Sequence, residues 1–152
     1  AATDGSTPGA SVKVTAASGV LVDASANSRW GASGANGGTV ILTADGQTLA
    51  GNMTADKISA ITVTLQNGSS LTGAINTART AKAVNLTLDA TSRWSVTADS
   101  YVTCLTIPNL SGDSITTIIG NGHTVYYDQG ACPALDGKTY SLAGGGALTP
   151  AQ

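Results

Sequence analysis

The chain has 152 residues, a formal net charge of −2 and 11% charged residues, with no glutamate and no phenylalanine. That length suits one domain with its own core. The charge leaves no basic stripe for nucleic acid, and no apolar run approaches the roughly 20 residues of a membrane span. Thr, Ser, Ala, Gly and Asn dominate, favouring strands and turns over helix.

Residues 1–11, "AATDGSTPGAS", are small and mostly polar, without the charged and apolar regions of a signal peptide. They are expected to form an extended or flexible lead in a secreted, extracellular chain whose signal has been removed. From residue 12 onward an apolar–Thr step recurs: Val14-Thr15, Leu42-Thr43, Val63-Thr64, Leu86-Thr87 and Leu105-Thr106, with the threonines 28, 21, 23 and 19 residues apart. Two positions before the apolar residues stand Val12, Val40, Ile61, Val84 and Thr103. Two positions after stand Ala16, Ala44, Leu65, Leu88 and Ile107. Strand alternation puts these three columns on one face and the threonines on the other.

A second column follows, Trp30, Leu49, Leu71, Trp94 and Ile115, spaced 19, 22, 23 and 21 residues apart. Ser28-Arg29-Trp30 and Ser92-Arg93-Trp94 look like one step in two coils. Turn clusters lie between the columns at Ala44, Asn67, Ser111 and Gly120. Two columns of nearly equal period suit a solenoid, in which each coil sits about 4.8 Å above the last. The predicted fold is all-β: a single-stranded parallel β-helix of about five to six coils from Val12 to Leu142, with residues 12–152 forming one domain that ends in an irregular coil.

The stretch "VNLTLDATSRWSVTADSYVTCLTI" resembles the passenger-domain repeats of bacterial autotransporters and related adhesins. The shared features are an apolar-x-Leu-Thr-Leu strand, a Ser-x-Trp step and a closing Val-Thr-x-Leu-Thr strand. The resemblance implies a right-handed parallel β-helix of the pectin-lyase type and an extracellular or cell-surface location. The tail "GKTYSLAGGGALTP" resembles the closing segment of some secreted β-helical proteins. Passenger domains are far longer and are followed by an outer-membrane barrel, so the resemblance is not expected to extend to a large surface-displayed protein.

Cys104 and Cys132 show no CxxC or Cys/His metal spacing. They suggest one disulfide in an oxidising compartment; the alternative is two buried thiols. A Cys104–Cys132 bond would tie the excursion "DQGACPALDG" back onto the regular coils.

Enzymes on related β-helices use clustered acidic residues. Asp45 and Asp89 occupy equivalent positions two coils apart, too far apart to share one calcium; Asp56 and Asp99 are likewise about two coils apart, a separation that leaves room for a glycosidase-type carboxylate pair, although solvated turn carboxylates are the expected reading. His123, in "GNGHTVYY", has no nucleophile motif beside it. Arg29 and Arg93 either bind acidic sugars or cover the turn next to their tryptophans. Gly144-Gly145-Gly146 suggests a flexible turn without the strand-to-helix setting of a phosphate loop. Sequons occur at Asn52, Asn67, Asn85 and Asn109. The outward threonines Thr15, Thr43, Thr64, Thr87 and Thr106 make a possible binding face. Regular Thr arrays resemble those of ice-binding solenoids, but the flanking Lys13, Ile41, Thr62, Asn85 and Cys104 do not form a second Thr rank.

The expected function is structural: a non-catalytic secreted solenoid, without cofactor or metal, that polymerises head-to-tail into an extracellular filament or matrix. Small, nearly uncharged ends motivate this, since two complementary ends make open-ended contacts. The alternatives are an adhesin-like module that docks glycan (or ice) on a flat strand face, and a carbohydrate-active enzyme.

Overall fold

A computed structural model describes residues 13–26, 32–108, 110 and 112–152. The chain is a β-solenoid of about five stacked coils. The strands are β1 (Lys13–Asp23), β2 (Thr39–Asp45), β3 (Thr48–Thr54), β4 (Ala60–Gln66), β5 (Ser70–Thr72), β6 (Ala83–Leu88), β7 (Arg93–Ser95), β8 (Ser100–Val102), β9 (Cys104–Thr106), β10 (Ser114–Ile119), β11 (Thr124–Tyr127), β12 (Tyr140–Ala143) and β13 (Ala147–Pro150). A single 3₁₀ turn, Pro133–Leu135, is the one helical element among the described residues.

Strands β2, β4, β6 and β9 stack in parallel as the first face. The second face stacks β1, β3, β5, β7 and β10, also in parallel. The third face carries β8, β11 and β13. The β-branched and leucine-rich strands alternate as parallel strands half-covered by solvent should, giving for Ala60–Gln66 a strict in–out burial pattern. Inward residues stack in register: Leu42, Val63, Leu86 and Leu105 on the first face, and Leu49, Leu71, Trp94 and Ile118 on the second. Val63, Leu71, Trp94 and Ile118 are completely buried. Each such side chain contributes roughly 1.5–3 kcal/mol.

Three members of the expected columns belong elsewhere. Val14 pairs with Leu49 and Thr15 with Ala50, so β1 lies on the second face and Thr15 is outside the threonine ladder. The reason is topological: 15 residues separate β1 from β2, and the chain reaches the first face only at Thr39. Ile118, not Ile115, stacks on Trp94. Ile115 pairs with Leu142 of β12, and the β10–β12 register then shifts between Ile115 and Ile119, which puts Ile118 level with Trp94. Trp30, Ser28, Arg29, Asn109 and residues 1–12 lie outside the described residues.

The corners are held by polar side chains that reach one coil over. Ser69 Oγ accepts the N–H of Gln47 at 3.0 Å, and Ser92 Oγ accepts the N–H of Ser69 at 3.1 Å. This explains the Ser-x-Trp step. Ser92 is buried as the hydrogen-bonding rung of the corner, and Trp94 two residues later points inward. Its indole Nε1 donates to the Gly73 carbonyl at 2.9 Å.

The C-terminal end is closed, which corrects the expectation of a bare apolar layer there. After β11 the chain crosses the end of the stack. Cys132 and Leu135 are completely buried, and the Tyr127 hydroxyl donates to the Lys138 carbonyl at 2.8 Å. The hairpin of β12 and β13 then pairs with β10 on one side and β11 on the other, carrying the sheet around the end. Its turn consists of Gly144, Gly145 and Gly146, all with positive φ. A Cβ on Gly146 would meet the His123 carbonyl oxygen at 1.9 Å, so the expected flexible turn is a tight one with no room for a side chain.

Candidate binding face

The first face is regular: four parallel strands stack on it without a register shift. Its outward side carries the ladder Thr43, Thr64, Thr87 and Thr106 in register, with Thr43 and Thr106 exposed and the middle pair half-buried. The neighbouring rank is Ile41, Thr62, Asn85 and Cys104. Ile41 is 73% exposed, the most exposed large apolar side chain among the described residues. Apart from that residue the centre of the face is small, uncharged and rich in hydroxyls.

Cys104 and Cys132 form a disulfide with Cα atoms 4.9 Å apart. The bond pins the crossing segment against the last strand of the first face, where the Leu105 N–H points at Cys132 Sγ at 3.4 Å. Asp128 N–H donates to the Thr103 carbonyl at 3.2 Å alongside it.

The carboxylates line the corners, and their oxygens are occupied by turn donors. Asn67 N–H donates to Asp89 Oδ2 at 2.6 Å, and the Asn67 side-chain amide donates to Asp45 Oδ1 at 2.7 Å. One residue thus bridges the two aspartates. The Asn67 N–H contributes most to holding the Asp89 carboxyl well below the usual carboxylate range, aided by Ser92 and Thr91. Asp56 is lowered by Ser59 and by the N–H of Ala26, which reaches its Oδ2 at 2.8 Å. Asp99 Oδ1 accepts the Thr124 N–H at 2.8 Å and lies 3.8 Å from His123 Nδ1. Arg93 folds over its own turn, donating to the carbonyls of Ala90 and Ser92. Among the described residues no three His, Cys, Asp or Glu side chains come together as a metal site.

The third face holds a feature that the sequence columns did not single out. Tyr101 and Tyr126 stack with ring centroids 4.7 Å apart, and the Arg79 guanidinium covers Tyr101 at 5.3 Å from its centroid. Thr149 is the next residue in register after Tyr126. The outer face of Tyr101 is therefore occupied, so the pair is an internal ladder rather than an open platform for a sugar ring. The sequons differ in availability. Asn52 Oδ1 accepts the Ala74 N–H and Asn67 is used as above, whereas Asn85 is exposed on the first face.

Comparison with known proteins gives no match to a family model, a curated protein or a solved structure. Of what the resemblance to passenger repeats implies, the structure bears out the β-solenoid of about five turns. No helix among the described residues is long and apolar enough to cross a membrane.

Proposed function

We propose that the chain is a non-catalytic, secreted structural module, a rigid β-solenoid unit of an extracellular or cell-surface assembly. One observation carries this reading: the corner carboxylates Asp56, Asp89 and Asp99 are engaged in holding coil to coil. Asp56 ties Ala26 to the turn at Ile58, Asp89 ties Asn67 to Ser92, and Asp99 ties Thr124 to its own coil. The disulfide and the likeness of "VNLTLDATSRWSVTADSYVTCLTI" to passenger repeats support the extracellular setting. Head-to-tail assembly into a filament, if it occurs, meets the crossing segment and the β12–β13 hairpin at the C-terminal side of the stack.

A second reading, an adhesin-like glycan-binding module, draws on the hydroxyl ladder of the first face. The structural reading is tested by long incubation of the folded protein with neutral and acidic polysaccharides. It predicts no new reducing ends and no unsaturated products. Turnover that is abolished by Asp45→Asn or Asp99→Asn would establish an enzyme instead.

A further inference from the structure

Tyr101 and Tyr126 point outward from the middle of β8 and β11, between neighbours that point into the core. They are paired in register, so their Cα atoms sit one rung, about 4.8 Å, apart. Their rings stack with centroids 4.7 Å apart and planes 13° from parallel. Both ends of this stack are held. The Arg79 guanidinium lies 5.3 Å from the Tyr101 centroid and is anchored by a hydrogen bond from Nη2 to the Gln152 carbonyl at 3.0 Å. Beyond Tyr126, Thr149 is next in register, and its hydroxyl is bonded to that of Thr139 at 2.8 Å. Tyr101 and Tyr126 are half-buried, and neither hydroxyl has a hydrogen-bond partner among the described residues. The remaining tyrosines, Tyr127 and Tyr140, are buried, and their hydroxyls donate to the carbonyls of Lys138 and Leu135.

We propose that Tyr101 and Tyr126 form an oxidative cross-linking site, at which a peroxidase using hydrogen peroxide joins the two rings into one intramolecular dityrosine. Each phenol gives up an electron and its hydroxyl proton. The two phenoxyl radicals carry spin density on the ring carbons ortho to oxygen, and a C–C bond forms between one ortho carbon of each ring. The hydrogen on each of those carbons then moves as a proton to its phenol oxygen, which restores both aromatic rings. Hydrogen peroxide takes up the two electrons and two protons and leaves as two waters. The chain ends lighter by two hydrogen atoms.

The geometry favours this bond over its competitors. Side chains at paired positions of a parallel ladder project in the same direction, so the two rings lie with their ortho carbons side by side. Effective molarities for well-oriented partners reach about 10⁵–10⁸ M, so coupling within one chain outruns coupling between dilute chains. Arg79 and Thr149 flank the outer faces of the stack, which leaves the edges of the rings open to the oxidant. Tyr127 and Tyr140 are shut away from it. The new bond staples β8 to β11 on the third face, as the disulfide staples the crossing segment to β9. A cross-link of this kind restrains the unfolded chain and raises the thermal midpoint. The inference goes beyond the structural role argued above and stands on the third face alone.

The test is treatment of the dilute, folded full chain with a haem peroxidase and hydrogen peroxide, read by dityrosine fluorescence, intact mass and peptide mapping. The expected product is a monomer two hydrogen atoms lighter, with the Tyr101 and Tyr126 peptides joined and the thermal midpoint raised. Tyr101→Phe and Tyr126→Phe each keep a ring in the stack but cannot form the phenoxyl radical. Each should lower the fluorescence yield roughly tenfold or more, while circular dichroism stays that of the parent. Unfolding in urea before oxidation should disperse the coupling among other tyrosine pairs. Coupling found only between molecules, coupling within the chain that survives Tyr126→Phe, or loss of tyrosine without the Tyr101–Tyr126 bond would overturn the proposal. None of these outcomes concerns polysaccharide turnover, so failure here leaves the structural reading standing.

Discussion

The Asn67 backbone N–H donates to Asp89 Oδ2 across one coil step at 2.6 Å, while the Asn67 side chain reaches the other way to Asp45 at 2.7 Å. The Asp89 carboxylate is thereby favoured in the folded state and its pKa is depressed below the ordinary 3.8. A group depressed in this way contributes stability that is present above its unfolded pKa and is lost as pH falls through the folded one. Thermal midpoints should therefore be flat from neutral pH to about pH 5 and decline on further acidification. Asp89→Asn should lower the midpoint at pH 7 and flatten the acid decline, an effect read by melting both proteins at several pH values. An identical acid slope in the variant would remove Asp89 from this account.

Inward and outward neighbours on one strand should respond oppositely. Leu86, 1% exposed, lies between Val63 and Leu105, whereas Asn85 beside it is exposed. Leu86→Ala should cost about 2–5 kcal/mol in urea unfolding, and Asn85→Ala should stay within about 0.5 kcal/mol. Similar costs for both would contradict the alternation.

Glycine is demanded where two coils touch backbone to backbone. A Cβ on Gly120 would lie 2.1 Å from the Gly145 carbonyl oxygen, whereas one on Gly130 meets only Asp128 Oδ1 at 3.4 Å. Gly120→Ala should destabilise by roughly 1–3 kcal/mol or more, while Gly130→Ala should be mild. Equal chemical-denaturation midpoints would show that the end hairpin packs differently.

The disulfide closes a segment of sequence separation 28. In the chain-entropy model such a loop is worth about 3–4 kcal/mol. The double variant Cys104→Ala/Cys132→Ala should lose about that much while keeping the strand signature of its circular dichroism. Alkylation of the untreated protein without reductant should leave the intact mass unchanged.

Periodicity carried most of the fold. The columns through Leu42, Val63, Leu86 and Leu105 and through Leu49, Leu71 and Trp94 are legible because each coil repeats the same inward residues at nearly constant length. The reading slipped where a coil departs from that length. Val14-Thr15 matches the apolar–Thr pattern, but the step to the next threonine, 28 residues, is the longest of the set, and β1 turned out to serve another face. Ile115 and Ile118 share a strand, and only the register shift decides between them. The closed C-terminal end was hidden for a different reason. It is built from Cys132, Leu135, Leu142 and Leu148 brought together by a crossing segment and a three-glycine turn, with no period to reveal it. The threonine ladder was visible as spacing, and Thr43, Thr64, Thr87 and Thr106 share the face, whereas Thr15 does not.

The account rests on the stack being closed at its C-terminal end by the tethered segment, and amide hydrogen exchange on the oxidised and the reduced protein tests this most directly. In the oxidised protein the N–H groups of Leu86, Leu105, Asp128 and Leu142 should all be protected, since each is paired or covered within the stack. After reduction Leu105 and Asp128 should lose protection well before Leu86 does, because the crossing segment is the part the disulfide restrains. Exchange of Leu105 and Asp128 at the rate of an unstructured chain in the oxidised protein would contradict the closed end.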